Sequence, residues 1–167
     1  MVVSSPIIDS LEFSRQGRNM EGRVAASDLP RLADSLADAG SVLSWRLWGE
    51  KDEEGKLFLV LTVEGVLSLT CQRCLANMTW PLDITERLLL VPEGTPWPED
   101  ELEDDSLDAI AAEREMSVLT LVEDEVLLAL PAVPRHAEQA LCQAPVAVNE
   151  DLPASPFALL EQLKKKH

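Results

Sequence analysis

Residues 57–90 read LFLVLTVEGVLSLT, then CQRC, then LANMTWPLDITERLLL, and the fold follows from this stretch. In its first run Val63, Gly65, Leu67, Leu69 and Cys71 share one face, with Thr62, Glu64, Ser68 and Thr70 on the other. In its second run Met78, Trp80, Leu82 and Ile84 alternate with Thr79, Pro81, Asp83 and Thr85. Strand side chains point to opposite faces in turn, so a period of two among β-branched and aromatic residues predicts strands. The stretch reads as a hairpin, 57–71 against 78–91, with Cys71 and Cys74 at its tip.

Upstream, Leu43, Trp45 and Leu47 alternate with Ser44 and Arg46, which predicts a strand over 42–49, and KDEEG (51–55) is a polar turn into the hairpin. Before it, Ser27 suits a helix N-cap. Leu29, Leu32, Ala33 and Leu36 follow at helical spacing and Gly40 closes the segment, so a helix is expected over 28–38. Residues 1–26 read as an extended arm or N-terminal strand with a turn near Gly22.

Downstream the character changes. Between Glu93 and Glu115 lie ten carboxylates and one arginine, behind Pro92, Pro96 and Pro98. This predicts an acidic mobile loop at about 93–115, with a short helix near 107–114. SVLTLVEDEVLLALP (117–131) is the strongest helix signal. Leu119, Val122, Val126 and Leu130 form an apolar stripe, Ser117 or Thr120 can cap the start, and Pro131 and Pro134 end it. That helix is expected over 118–130. A semi-detached tail, 144–167, carries a short helix signal at 156–165, with Ser155 as cap and lysines in the last turn. The expected architecture is a single α+β domain over 1–167: an antiparallel sheet packed on one face by the 28–38 and 118–130 helices.

The chain has 167 residues, 30 Asp+Glu against 14 Lys+Arg, and a formal net charge of −16. Gripping nucleic acid by neutralising phosphates needs a basic face, so this charge disfavours bare RNA, DNA and anionic membrane and favours basic partners. No apolar run reaches the ~18 residues of a membrane span, and MVVSSPIIDSLEF lacks the regions of a signal peptide. The reading is a cytoplasmic protein whose three cysteines stay reduced.

Cys-x-x-Cys lets two thiolates reach one ion from a tight turn, and zinc takes four such donors. The remaining soft donors are His136, Cys142 and the terminal His167. A zinc site of Cys71, Cys74, His136 and Cys142 is therefore the available combination. The bland alternative is two thiols packed at a hairpin end and a loop histidine. A thioredoxin-type redox role needs the motif at a helix N-terminus, which is missing around Cys74. Glu123, Asp124 and Glu125 could hold magnesium for RNA cleavage, but consecutive helix residues point about 100° apart. Trp45 and Trp80 fall on core faces, leaving Trp48 and Trp97 as candidate contacts.

Three blocks, CQRCL (71–75), VEDEVLLALPAVPRH (122–136) with Cys142, and SPFALLEQLKKK (155–166), resemble the bacterial YceD family of large ribosomal RNA subunit accumulation proteins. The resemblance runs from about Val42 onward. The family motif falls on Cys71, Arg73, Cys74, Glu123, Asp124, Glu125, Pro131, Pro134, His136 and Cys142. The resemblance implies an acidic cytosolic ribosome-biogenesis factor needed for normal accumulation of large-subunit ribosomal RNA, and it carries over no catalytic residues. Together with the charge, it points to a basic ribosomal protein or ribosome-assembly factor as partner. Two other readings stay open: a metal-dependent RNA-processing enzyme using Glu123 and Asp124, and a small structural zinc module without a ribosomal role.

Overall fold

The 57–90 stretch folds as the hairpin that its alternation requires. The computed structural model describes residues 5–98, 108–138 and 142. In chain order the elements are β1 (Ile7–Ile8), α1 (Ser10–Arg15), β2 (Asn19–Ala25), a 3-10 turn (Ala26–Asp28), α2 (Pro30–Ala33), β3 (Val42–Lys51), β4 (Leu57–Thr70), β5 (Asn77–Val91), β6 (Asp108–Ala111), β7 (Met116–Ser117) and α3 (Val118–Ala129). One sheet has the order β2-β3-β4-β5-β6, and β1 pairs with β7 in a small second ladder. The fold is α+β, as expected.

β4 and β5 pair antiparallel from Phe58↔Leu89 to Thr70↔Asn77. The register puts Leu59, Leu61, Val63, Leu67 and Leu69 on the face that carries Leu82 and Leu88, and all are buried. Leu43, Trp45 and Leu47 of β3 join them, covered by Phe13 of α1, Leu32 of α2 and Val122 and Val126 of α3. Each fully buried leucine of this set contributes roughly 1.5–3 kcal/mol of transfer free energy. Gly65 lies on the buried face because the Leu43 side chain crosses it: a Cβ there would meet Leu43 Cδ2 at 2.5 Å. The other face is mostly polar, with Phe58, Val60 and Leu89 buried toward one end, where the Arg87 guanidinium lies 3.6 Å from the Phe58 ring centroid.

α3 runs over the expected residues, and the Ser117 side chain accepts from the Thr120 N–H, which settles the cap on Ser117. Other elements differ from expectation. The 28–38 helix is cut to one turn because Pro30 pushes Leu29 to extended backbone (φ −112°, ψ 90°) and can sit only at the helix start. Gly22 is not a turn but a strand residue opposite Trp45, whose indole fills the space a Cβ would need, at 2.6 Å. Asp9 caps α1, a helix within residues 1–26 where an extended arm or strand was expected. Residues 108–111 form a strand parallel to β5, not part of a helix near 107–114: pairing with the far end of β5 satisfies backbone groups that a lone turn would expose. Residues 99–107 of the acidic loop and the 144–167 tail, with its expected helix, lie outside the described residues. Among the described residues no helix is long and apolar enough to cross a membrane.

Candidate metal centre

The hairpin loop is closed by its own backbone. The Cys71 N–H donates to the Ala76 carbonyl at 2.9 Å, and the Leu75 N–H donates to the Cys71 carbonyl at 2.8 Å. The turn needs Leu75 at a φ of 60°, a left-handed conformation that costs a non-glycine residue roughly 1–2 kcal/mol. Residues 72–74 lie over the Cys71 sulfur, which receives the Arg73 and Cys74 N–H groups and has no exposed surface.

The second half of the site comes from beyond α3. Pro131 stops the helix after its cap, Leu130, and the chain returns to the hairpin tip. There the Gln72 N–H donates to the Pro134 carbonyl at 2.8 Å, a bond that delivers His136 to the cysteines. His136 Nδ1 lies 3.6 Å from Cys74 Sγ and 3.5 Å from Cys142 Sγ. Cys71 Sγ lies 4.0 Å from Cys142 Sγ. One donor atom from each of the four residues falls within 4.8 Å of all the others. Cys71 is buried and the other three are half-buried.

The electrostatics suit a cation. Burial by itself pushes the Cys71 thiol up, but the N–H groups of Cys74, Arg73 and His136 and the Cys74 side chain bond its sulfur and bring it down to about 5. Cys142 moves the other way. Burial, its hydrogen bonds to Cys74 and Cys71, and repulsion from those sulfurs push its thiol up. Crowded thiols that cannot all ionise together are an arrangement that a bound metal ion relieves. Arg73, a motif position with no role assigned from sequence, reaches Cys142 Sγ with Nη1 at 3.8 Å.

The acidic triplet does different work. Glu123 Oε1 accepts from the N–H groups of Arg31 (2.8 Å) and Leu32 (3.2 Å), and Oε2 accepts from Arg31 Nε (3.0 Å). Arg31 Nη2 also reaches Glu123 at 2.9 Å and Asp124 at 2.6 Å. These two carboxylates are therefore occupied by one guanidinium and the start of α2. Among the described residues, the group of ligand-type side chains close enough to share an ion is the Cys/His cluster, and Glu123 and Asp124 are not in it. Glu125 faces away, buried toward Glu86 and Asp108. No sequence signal links Arg31 to this triplet, because the two lie 92 residues apart. Trp45 is buried and Trp80 packs against the core. Trp48 Nε1 donates to Glu50 at 2.9 Å, and Trp97 remains exposed.

A family model described as large ribosomal RNA subunit accumulation protein YceD matches residues 59–164. A Haemophilus influenzae protein of the same description is 28% identical over 172 residues, spanning 95% of this chain and 95% of its own length. No solved structure matches the chain.

Proposed function

This chain belongs to the YceD family, and from that premise we propose that it is a non-enzymatic ribosome-biogenesis factor needed for large-subunit ribosomal RNA to accumulate. It works in the cytoplasm, through a basic protein partner rather than through direct grip on RNA. The observation that carries the ribosomal reading is the family match over residues 59–164, and the four-donor cluster at the hairpin tip adds a structural metal ion to it. Zinc at about 2.3 Å from sulfur and 2.0 Å from imidazole nitrogen spaces neighbouring donors by roughly 3.5–3.8 Å in a tetrahedral shell. The sulfur–nitrogen separations of 3.5 and 3.6 Å and the sulfur–sulfur separation of 4.0 Å fit that spacing. Cys71, Cys74, His136 and Cys142 would hold the ion, which would supply cross-linking rather than chemistry. Four protein donors match a structural zinc, whereas a catalytic zinc keeps a place for water or substrate.

The zinc ties the segment after α3 to the sheet and so stiffens a scaffold for an acidic surface. The charge of −16 supports a basic ribosomal protein or assembly factor as the partner, since opposite fields speed encounter and reject wrong partners. The carboxylate-rich 93–115 stretch is the proposed contact. Two measurements test the reading. Metal analysis of the purified chain should find about one zinc, lost in Cys71→Ser, as a four-donor structural site requires. Pull-down from a bacterial lysate at low and moderate salt should retain basic ribosomal proteins on the full chain and lose them on deletion of residues 93–115. Equal retention by the deleted chain would sink the partner assignment.

A further inference from the structure

We propose that Arg73 is the charge-balancing residue of the zinc site, an inference that rests on the reading of that site given above. Three thiolates and a neutral imidazole carry three negative charges against the two positive charges of zinc, so the filled site holds one surplus negative charge. The molecule around it is already strongly acidic, which makes the surplus costly.

Arg73 lies between the two hairpin cysteines, and its Nη1 stands 3.8 Å from Cys142 Sγ, within N–H···S range. The division of labour is clear in the geometry. Cys71 receives the backbone N–H groups of Cys74, Arg73 and His136, so its charge is spread over amides supplied by the folded loop. Cys142 comes from a separate stretch, and the guanidinium supplies to its sulfur what the amides supply to Cys71. No carboxylate neighbours it in sequence, since residues 65–82 contain no Asp or Glu. Arginine suits the role better than lysine, because a planar, weakly hydrated fork can face a sulfur while its other N–H groups stay in water. Outer-shell partners of this kind typically alter metal affinity by 10–100-fold. Arg73 is thus a positioning residue: it touches a ligand, not the ion.

The test is chelator competition on the full zinc-loaded chain, comparing wild type with Arg73→Gln, Arg73→Glu and Arg73→Lys. Arg73→Gln should bind zinc about tenfold more weakly, Arg73→Glu weaker still, and Arg73→Lys should recover part of the loss. The gap between wild type and Arg73→Gln should shrink as salt rises from about 0.05 to 1 M, because the guanidinium acts by charge from a solvent-facing position. A purely structural role for Arg73 would not give that salt dependence, and it would lower the thermal midpoint of the metal-free protein, which should stay unchanged. Equal affinity in wild type and Arg73→Gln, or an Arg73→Lys variant as weak as Arg73→Gln, overturns the inference while leaving the site standing. Failure of the wild-type chain to take up zinc overturns the site and the inference together.

Discussion

Glu125 is buried on α3 opposite Glu86 of β5 and Asp108 of β6, and its environment opposes its charge. Burial first, then repulsion from Glu86, Asp108 and Asp124, raises its carboxyl from 4.5 to about 7. Between those values the folded chain keeps a proton that the unfolded chain has lost. Stability therefore falls as pH rises from about 4.5 to about 7, and this contribution is flat above. Glu86 and Asp108 stand partly in solvent, which screens the repulsion, so the penalty at pH 8 is about 1–2 kcal/mol rather than the full shift. Glu125→Gln should recover that amount at pH 8 and little at pH 4.5. Urea unfolding at the two pH values checks it, and an equal gain at both would show that charge is not the cause. The helical stripe of 117–131 does not flag this residue. The charges that oppose it, Glu86 and Asp108, come from β5 and β6, which lie far from α3 in sequence.

Among the elements, α2 shows how a short helix is held by its neighbours. A four-residue helix has too few internal bonds to persist alone, since nucleation costs more than one turn returns. Glu123 of α3 supplies the missing cap by accepting from the Arg31 and Leu32 N–H groups. Glu123→Ala should leave those two backbone donors without their partner and the Arg31 guanidinium with Asp124 alone, and the orphaned donors should cost about 1–3 kcal/mol. Glu123→Gln, which keeps an acceptor but no charge, should cost less. Loss of the 29–36 amides from hydrogen-exchange protection in Glu123→Ala, with the sheet still protected, is the expected signature. α1 is placed by a different device. Its backbone lies so close to β3 that a Cβ on Gly49 would meet Ser14 Cα at 2.4 Å and the Phe13 carbonyl oxygen at 2.8 Å. Both are backbone atoms, so no side-chain rotation relieves the clash. Gly49→Ala should destabilise the fold by about 1–3 kcal/mol in thermal or urea unfolding; a neutral effect would mean that α1 is free to move off the sheet.

At the scale of the whole molecule, the proposed metal site joins two distant parts of the chain. Removing zinc by chelation should loosen residues 131–138 from the hairpin tip, seen as faster hydrogen exchange there. The β3–β4–β5 sheet keeps its own core and should remain protected. Protons compete with zinc for the same sulfurs. Zinc affinity should therefore fall as pH drops toward about 5, where Cys71 takes up its proton in the metal-free protein. A zinc affinity unchanged between pH 7 and 5 would show that Cys142, whose thiol is pushed up and must lose its proton to bind, is not a ligand.

The sequence by itself determined the hairpin and its faces, the span and cap of α3, the acidic charge and the set of soft donors. Each is written in local spacing: a period of two names the buried face of a strand, and 3.6 names that of a helix, whatever they pack against. The tip cysteines show the limit. Cys71 falls on the buried face by alternation, but nothing local says that Cys142, 71 residues on, will lie 4.0 Å from it. Only the tertiary structure decided that convergence, through the Gln72–Pro134 bond that turns the chain back after Pro131. It likewise decided that Glu123 would cap α2 and that residues 108–111 would add a parallel strand. These are pairings between residues far apart in sequence, chosen by which buried donors and acceptors remain to be satisfied once the sheet has closed.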